Sequence, residues 1–319
     1  MTAAAVSSRT EAVILFGAGG FIGRHVVDAL VGSVPLVVGV TGTGRPVPGL
    51  DQVARFDRLE DIPALPVETV VINVAAFRYD AAKFQAEQSL ILERNTAIAN
   101  SVYGFCAARG IKEVRLASSM AVYPAEWPVG DDDRPFDLNA WPHDGEAAYA
   151  WSKRWAEIVA EIHHRRLGIS TLTFRLTNPY GPYDALDVKA AHVAPAFAIK
   201  ALLPGPEFEV AGNPDAERDF VYAGDIAAVF KATLDERGRH DTMNLAQGHT
   251  VTIRRLAEAV VAASATGKTI RIAGAASSGV SIRRATGEKL RRSFDLAPFR
   301  GLDDGMRLTL DWYRDALAR

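Results

Sequence analysis

Residues 14–30, ILFGAGGFIGRHVVDAL, set three glycines between an apolar run and a segment of helical period. The preceding EAVILFGA has the texture of a buried strand, and GFIGRHVVDALV repeats its apolar residues at helical spacing. Strand, glycine loop and helix in immediate succession read as the first βα turn of a dinucleotide-binding unit. In that unit Gly17 permits the tight turn, Gly20 lets the backbone approach a pyrophosphate, and Gly23 lets helix and strand pack closely. The free N–H groups at the helix start, around Phe21 and Ile22, then face the phosphates. A plain strand-to-helix corner would need only one glycine.

Outward from this stretch, short β-branched runs alternate with amphipathic segments. VPLVVGVTG reads as a second strand, VARFD as a short third, and VETVVINVAA as a strand apolar throughout, as one covered on both faces should be. SLILERNTAIANSVYGFCAARG predicts a long helix stopped by Gly110, KEVRLASS a further strand, WSKRWAEIVAEIHHRRLG a helix and STLTFRLTN another strand. Such alternation implies βαβ units, a parallel sheet and right-handed crossovers. From Pro179 onward proline, glycine and charge become frequent, although DTMNLA has the character of a strand returning to the main sheet. GLDDGMRLTLDWYRDAL predicts a closing amphipathic helix with acids at its start, where the dipole favours them. The expected architecture is α/β, a doubly wound parallel sheet of Rossmann type with a smaller C-terminal substrate-binding lobe. Residues 1–178 and 219–249 are assigned to the dinucleotide domain, and residues 179–218 and 250–319 to the lobe.

Composition narrows the function classes. With 319 residues, 48% of them hydrophobic, the chain can bury a full core. A formal charge of −2 offers no electrostatic footprint for nucleic acid or an anionic membrane. Cys106 is the single cysteine, which excludes an internal disulfide and a thiolate metal cluster, and its helical context reads as a small buried hydrophobe. No metal site is expected. MTAAAVSSRTE lacks the basic start and apolar core of a secretory leader, so a cytoplasmic protein is expected.

The dinucleotide loop has a departure that bears on cofactor choice. An Asp or Glu about 20 residues beyond the glycines normally binds the adenosine ribose and disfavours a 2′-phosphate. This chain carries Thr41 and Thr43 there, with Arg45 close behind. Hydroxyls and a guanidinium tolerate a 2′-phosphate, so the cofactor is read as NAD or NADP, unless Arg45 merely points to solvent.

AAYAWSKRWAE places Tyr149 and Lys153 four residues apart, on one helix face. A phenol titrates near pH ~10, and an ammonium one turn away stabilises the phenolate and lowers that value. Such a tyrosine takes a proton from a carbinol, or returns one to a carbonyl, while hydride moves at the same carbon. RLASSMAVYP ends a strand with Ser118 and Ser119, either of which could hydrogen-bond the same oxygen.

The order of glycine loop, strand-end serine and YxxxK resembles the extended short-chain dehydrogenase/reductase family, in particular its NAD(P)-dependent epimerase/dehydratase group acting on nucleotide sugars. GAGGFIG, VINVAA, ASSMAVY, YAWSK, FRLTNPYGP, ERDFVYAGDIA, MNLAQG and LDWYRDAL all occur in that family's order. The resemblance implies Tyr149 as acid/base, Lys153 as ligand of the nicotinamide ribose and tuner of Tyr149, and Ser119 as the hydroxyl at the substrate oxygen. It implies Asp57 as a contact of the adenine amino group, Asn178 as a contact of the sugar diphosphate, and Arg218 as a basic contact near the nucleotide. Read from the residues alone, Asn178 could cap a turn, Arg218 could pair with a neighbouring acid, and Asp57 could end a strand. The resemblance also implies a homodimer built on the helices around residues 89–107 and 148–162.

Three departures narrow the chemistry. Dehydratases of the family carry an Asp-Glu pair where this chain has Met120 and Ala121, so dehydration is not expected. The region 175–202, with His192 in an HVxPA pattern, is similar to GDP-fucose synthases, whose histidine works with a cysteine; that position is Ala121. His192 is therefore either a substrate hydrogen-bond donor or simply a helix-start residue. Near the C-terminus, where the family holds a diphosphate with an arginine before Gly-Asp, the chain reads GAASSGVSIRRATGE. Gly279 matches the glycine, and either Arg283 or Arg284 replaces the arginine or the substrate lacks the usual nucleotide diphosphate. The expected function is NAD(P)-dependent epimerisation of a nucleotide-activated sugar through a transient keto-sugar. The alternative is NADPH-dependent 4-ketoreduction of a nucleotide-linked keto-deoxysugar, and a non-catalytic NADP sensor is the contrasting class.

Overall fold

In the computed structural model the described residues are 9–77, 86–188, 191–273 and 282–318. In chain order the first half contains β1 (Ala12–Phe16), α1 (Phe21–Leu30), β2 (Leu36–Thr41), β3 (Gln52–Arg55), β4 (Thr69–Asn73), α2 (Gln88–Arg109) and β5 (Glu113–Ser119). Then come α3 (Ala147–Leu167), β6 (Ser170–Leu176), β7 (Asn178–Tyr180), α4 (Val193–Leu202), β8 (Glu207–Ala211), β9 (Glu217–Arg218) and β10 (Phe220–Tyr222). The remainder is α5 (Ala223–Ala232), β11 (Asp241–Leu245), β12 (Val251–Thr252), α6 (Ile253–Ser264), β13 (Thr269–Ala273), β14 (Ile282–Arg283), α7 (Glu288–Ser293) and α8 (Leu302–Leu317).

Seven strands form one parallel sheet in the order β11-β6-β5-β4-β1-β2-β3. β1 and β4 are buried at every residue, which explains their unbroken apolar sequence. Alternate side chains enter opposite layers. Val13 and Leu15 pack with α1 and α5, whereas Ile14 and Phe16 pack with α2 and α3. The strand order reverses between β1 and β4, so the ends of these two strands open the crevice where open α/β sheets bind ligands.

The strand returning to the sheet is β11, which pairs with β6 from Asp241↔Leu172 to Leu245↔Leu176. α2 stops at Gly110 and α8 opens with Asp303 and Asp304, as their sequences predict. α3 begins earlier than Trp151: a 3-10 turn, Asp144–Glu146, leads straight into it, which places Tyr149 in its first turn. A second apolar cluster joins Phe197, Phe208, Leu256, Met306, Leu310 and Tyr313 from α4, β8, α6 and α8. No helix among the described residues is long and apolar enough to cross a membrane.

Candidate functional site

At the first βα turn the glycines are dictated by contact. Gly17 has φ +88°, and a Cβ on it would lie 2.8 Å from the backbone of Ala75, just beyond β4. A Cβ on Gly23 would sit 2.0 Å from the carbonyl oxygen of Gly17, so any other residue would push α1 off the loop. Gly20 precedes α1 with no side chain to cap it, and no acid occupies the first turn. No backbone acceptor among the described residues takes the N–H groups of Phe21, Ile22 or Gly23. A bare helix start with orphan donors and no neutralising carboxylate is an anion cradle. These residues fit the pyrophosphate of a dinucleotide.

The loop after β2 shows what replaces the ribose acid. Thr41 Oγ1 accepts the N–H of Gly44 at 2.9 Å, and Thr43 Oγ1 accepts that of Arg45 at 3.3 Å. Arg45 is exposed. Arg55 lays its stem against Gly44 and forks onto Asp57, with Nε to Oδ1 at 2.8 Å and Nη2 to Oδ2 at 2.5 Å. That fork holds the Asp57 carboxyl below the usual carboxylate range. A cavity of about 690 Å³ opens beside this loop, walled in part by Thr43, Gly44, Arg55 and Arg58. Sequence reading missed Arg55 and Arg58, because only the pairing of β2 with β3 brings them to the loop. The cavity walls do not include Tyr149, Lys153 or Ser119.

Tyr149 and Lys153 sit on one face of α3, with Lys153 Nζ 5.6 Å from the centre of the Tyr149 ring. Nζ donates to the carbonyl oxygen of Ala117 at 3.0 Å. Burial pushes the lysine down to about 8, against an opposing pull from Glu157 one turn further on. The two serines at the end of β5 separate cleanly. Ser118 is buried and donates to Glu157 Oε1 at 2.6 Å, while Glu157 is clamped by Arg175 at 3.0 and 2.7 Å. Ser119 points the other way along the pleat, and its Oγ accepts the N–H of Ala121 at 3.2 Å. Met120 and Ala121 form the 3-10 turn that follows. The Cys106 thiol is fully buried and burial pushes it up to about 12, which leaves it inert.

Asn178 is held by Asp219, the residue that follows Arg218. The carbonyl oxygen of Asp219 accepts both the backbone N–H of Asn178 at 3.1 Å and its Nδ2 at 2.8 Å. The buried Asp219 carboxylate accepts from Thr177 Oγ1 and from the N–H groups of Gln247 and Gly248. Arg218 Nη1 donates to the carbonyl of Glu217 at 2.7 Å. Burial, and then the neighbouring Arg283 guanidinium, lower its affinity for its own proton. His192 caps α4 without a capping bond, and its Nδ1 lies 2.9 Å from Oδ2 of the buried Asp184. Arg283 reaches Glu146 at 2.7 Å, whereas Arg284 is exposed. Gly279 lies outside the described residues.

Residues 13–246 match the NAD dependent epimerase/dehydratase family. The chain is similar to a dTDP-4-dehydro-6-deoxy-D-allose reductase of Streptomyces sp, 29% identical, with 98% of this chain and 99% of that protein covered. It is also similar to GDP-mannose 3,5-epimerase 1 of Oryza sativa subsp. indica, 23% identical over 96% of this chain and 82% of that one. In fold it is similar to the UDP-glucose 4-epimerase of Thermotoga maritima, with TM-score 0.80 and 22% identity over 96% of this chain and 99% of that structure. The chain belongs to the NAD dependent epimerase/dehydratase family, and is an enzyme of the extended short-chain dehydrogenase/reductase type.

Proposed function

We propose that the chain carries out hydride chemistry at C4 of a nucleotide-linked sugar, running as an NADPH-dependent ketoreductase. One observation carries the acid/base assignment: Tyr149 rides one turn from Lys153, whose buried Nζ is docked on Ala117 beside the strand end that bears Ser119. A bound nicotinamide dinucleotide supplies the hydride. The protein supplies everything else. Lys153, in its ammonium form, lowers the cost of charge on the Tyr149 oxygen. Ser119 donates to the substrate oxygen, and Tyr149 delivers the proton to that oxygen as the carbonyl becomes a carbinol. Asn178 and Arg218 face the sugar diphosphate and its nucleotide, with His192 as a further polar contact held by Asp184.

The cofactor assignment rests on the loop after β2. Thr41 and Thr43 stand where an acid would reject a 2′-phosphate, Arg45 follows them in the chain, and Arg55 and Arg58 wall the cavity beside Thr43. The full-length likeness to a dTDP-keto-sugar reductase supports the same direction. Epimerisation, with NAD retained and regenerated in each cycle, is the second reading, favoured by the likeness in fold to a UDP-glucose 4-epimerase. Denaturing the purified protein and weighing any released dinucleotide separates the two. Retained NAD supports the epimerase; no retained cofactor, with NADPH bound more tightly than NADH, supports the ketoreductase.

The same reading divides the chain into a cofactor domain, residues 1–178 and 219–249, and a substrate lobe, residues 179–218 and 250–319. It also places the protein in the cytoplasm as a homodimer. Leu92 on α2 and Trp155 and Ile162 on α3 expose apolar surface on the helices such a dimer would pair. Light scattering that returns a monomer at working concentration excludes the dimer.

A further inference from the structure

Residues 181–184 lead from β7 toward α4, and Tyr183 among them has φ +71°. A bulky side chain rarely takes this left-handed conformation, which persists only where the surroundings fix it. Here they do. The Tyr183 hydroxyl donates to Asp28 Oδ2 at 2.9 Å, the Arg24 guanidinium lies 4.9 Å from the ring centre, and the His25 ring lies 5.0 Å from it. His25 Nε2 also donates to the carbonyl oxygen of Pro182 at 3.0 Å, which pins the backbone one residue earlier. Trp312 of α8 packs edge-on against the Tyr183 ring at 5.5 Å. Three residues of α1, the helix that opens at the dinucleotide cradle, thus cage one residue of the segment that enters the substrate lobe.

The next residue is the buried Asp184. Its Oδ1 accepts the N–H of Ala185 at 2.8 Å, and its Oδ2 accepts from His192 Nδ1 at 2.9 Å. A carboxylate only accepts, so Nδ1 carries the ring proton and the neutral imidazole offers its lone pair at Nε2. The His192 side chain is 58% exposed, which leaves that lone pair open to a ligand. We propose that Tyr183 is a positioning residue: locked against α1, it aims the Asp184 carboxylate, which fixes His192 as an acceptor for a sugar hydroxyl. One strained residue thereby sets the dinucleotide helix and the sugar-facing histidine in a common register. An acceptor at Nε2 pairs with a hydroxyl, but not with a carbonyl oxygen or a methylene, so it selects which ring position stands before it. The inference rests on the nucleotide-sugar reading above and adds to it the device that orients one contact of the sugar.

Nitrogen-15 NMR of the full chain with labelled histidine, at a pH where imidazole is neutral, tests it, with His192 assigned from the signal missing in His192→Gln. The wild type shows His192 as the Nδ1–H tautomer. Tyr183→Gly accepts the left-handed backbone but empties the cage, and His192 shifts toward the Nε2–H form that an unconstrained histidine prefers. Titration calorimetry with UDP-glucose, dTDP-glucose and GDP-mannose, each against its nucleoside diphosphate, reads the consequence. For at least one sugar, affinity relative to the diphosphate falls by roughly threefold to tenfold in Tyr183→Gly, while the diphosphate itself binds as before. A His192 that is Nε2–H in the wild type, or whose tautomer Tyr183→Gly leaves unchanged, overturns the inference and leaves the nucleotide-sugar reading standing. A shifted tautomer with no change in relative sugar affinity overturns the acceptor role. The double variant Arg24→Met, Asp28→Asn keeps the test when Tyr183→Gly fails to fold: it removes the two charged holds on Tyr183, and a tautomer identical to the wild type's overturns the positioning. Wild-type protein that binds none of the three nucleotide sugars overturns this inference and the nucleotide-sugar reading together.

Discussion

Lys153 donates from Nζ to the carbonyl oxygen of Ala117, two residues before Ser119. This one bond ties the helix that carries the phenol to the strand that carries the hydroxyl, so the two groups proposed to meet a substrate oxygen are held by a common rivet. Replacing Tyr149 by Phe removes the proton carrier and leaves the rivet untouched. Turnover should fall by about 10²–10⁴-fold, while dinucleotide affinity, measured by fluorescence titration, stays within error of the wild type.

The alkaline limb of activity follows from Lys153. The lysine must keep its proton to stabilise the phenolate, and burial has pushed it down to about 8, so kcat should decline as pH rises through that value. Glu157 pulls in the opposite direction, so Glu157→Gln should move the limb to lower pH, which a kcat–pH profile measures. Stability responds with the opposite sign. An unfolded lysine titrates at about 10.4; between the two values the unfolded chain binds more protons, and this group's contribution to stability rises with pH.

Gly23→Ala should disrupt the dinucleotide loop rather than merely crowd it. The new methyl would lie 2.0 Å from the carbonyl oxygen of Gly17, and relief of that overlap requires α1 to move away from β1. The cost expected for such overpacking is about 1–3 kcal/mol, read from chemical denaturation, with dinucleotide binding lost. Gly104→Ala, where a Cβ meets nothing within 4 Å, is the matched control.

Arg154 ties the segment between β5 and α3 to α3. Its Nε donates to the carbonyl of Val122 at 2.8 Å and its Nη1 to those of Leu138 and Ala140 at 2.9 and 2.7 Å, while the side chain is almost wholly buried. Arg154→Met leaves those carbonyls without a donor and should destabilise the protein by about 3 kcal/mol or more. The denaturation midpoint reports the loss.

Local patterns made the sheet and its first turn legible. The apolar runs of β1 and β4, the three glycines and the four-residue spacing of Tyr149 and Lys153 are each set by short-range geometry. What stayed hidden depends on pairing between distant strands. Arg55 reaches the loop at Thr43 only because β3 lies beside β2, and Arg283 meets Arg218 only because β14 lies beside β9. The residues alone leave Ser118 and Ser119 open and the resemblance points to Ser119; the buried Glu157–Arg175 pair beneath β5 shows that Ser118 is already engaged. The 3-10 turn at residues 144–146 that leads into α3 is not legible, because Asp144, Gly145 and Glu146 carry no apolar period.

The late return of β11 to the sheet has a consequence for synthesis on the ribosome. Until residues 241–245 emerge, β6 is an open edge with a row of unpaired N–H and C=O groups. An apolar, unpaired edge of this kind is a template for another copy of the same nascent strand. Chains cut short ahead of Asp241 should therefore aggregate rather than remain as soluble half-proteins. Residues far from any substrate thereby decide whether the newly made enzyme survives long enough to meet one.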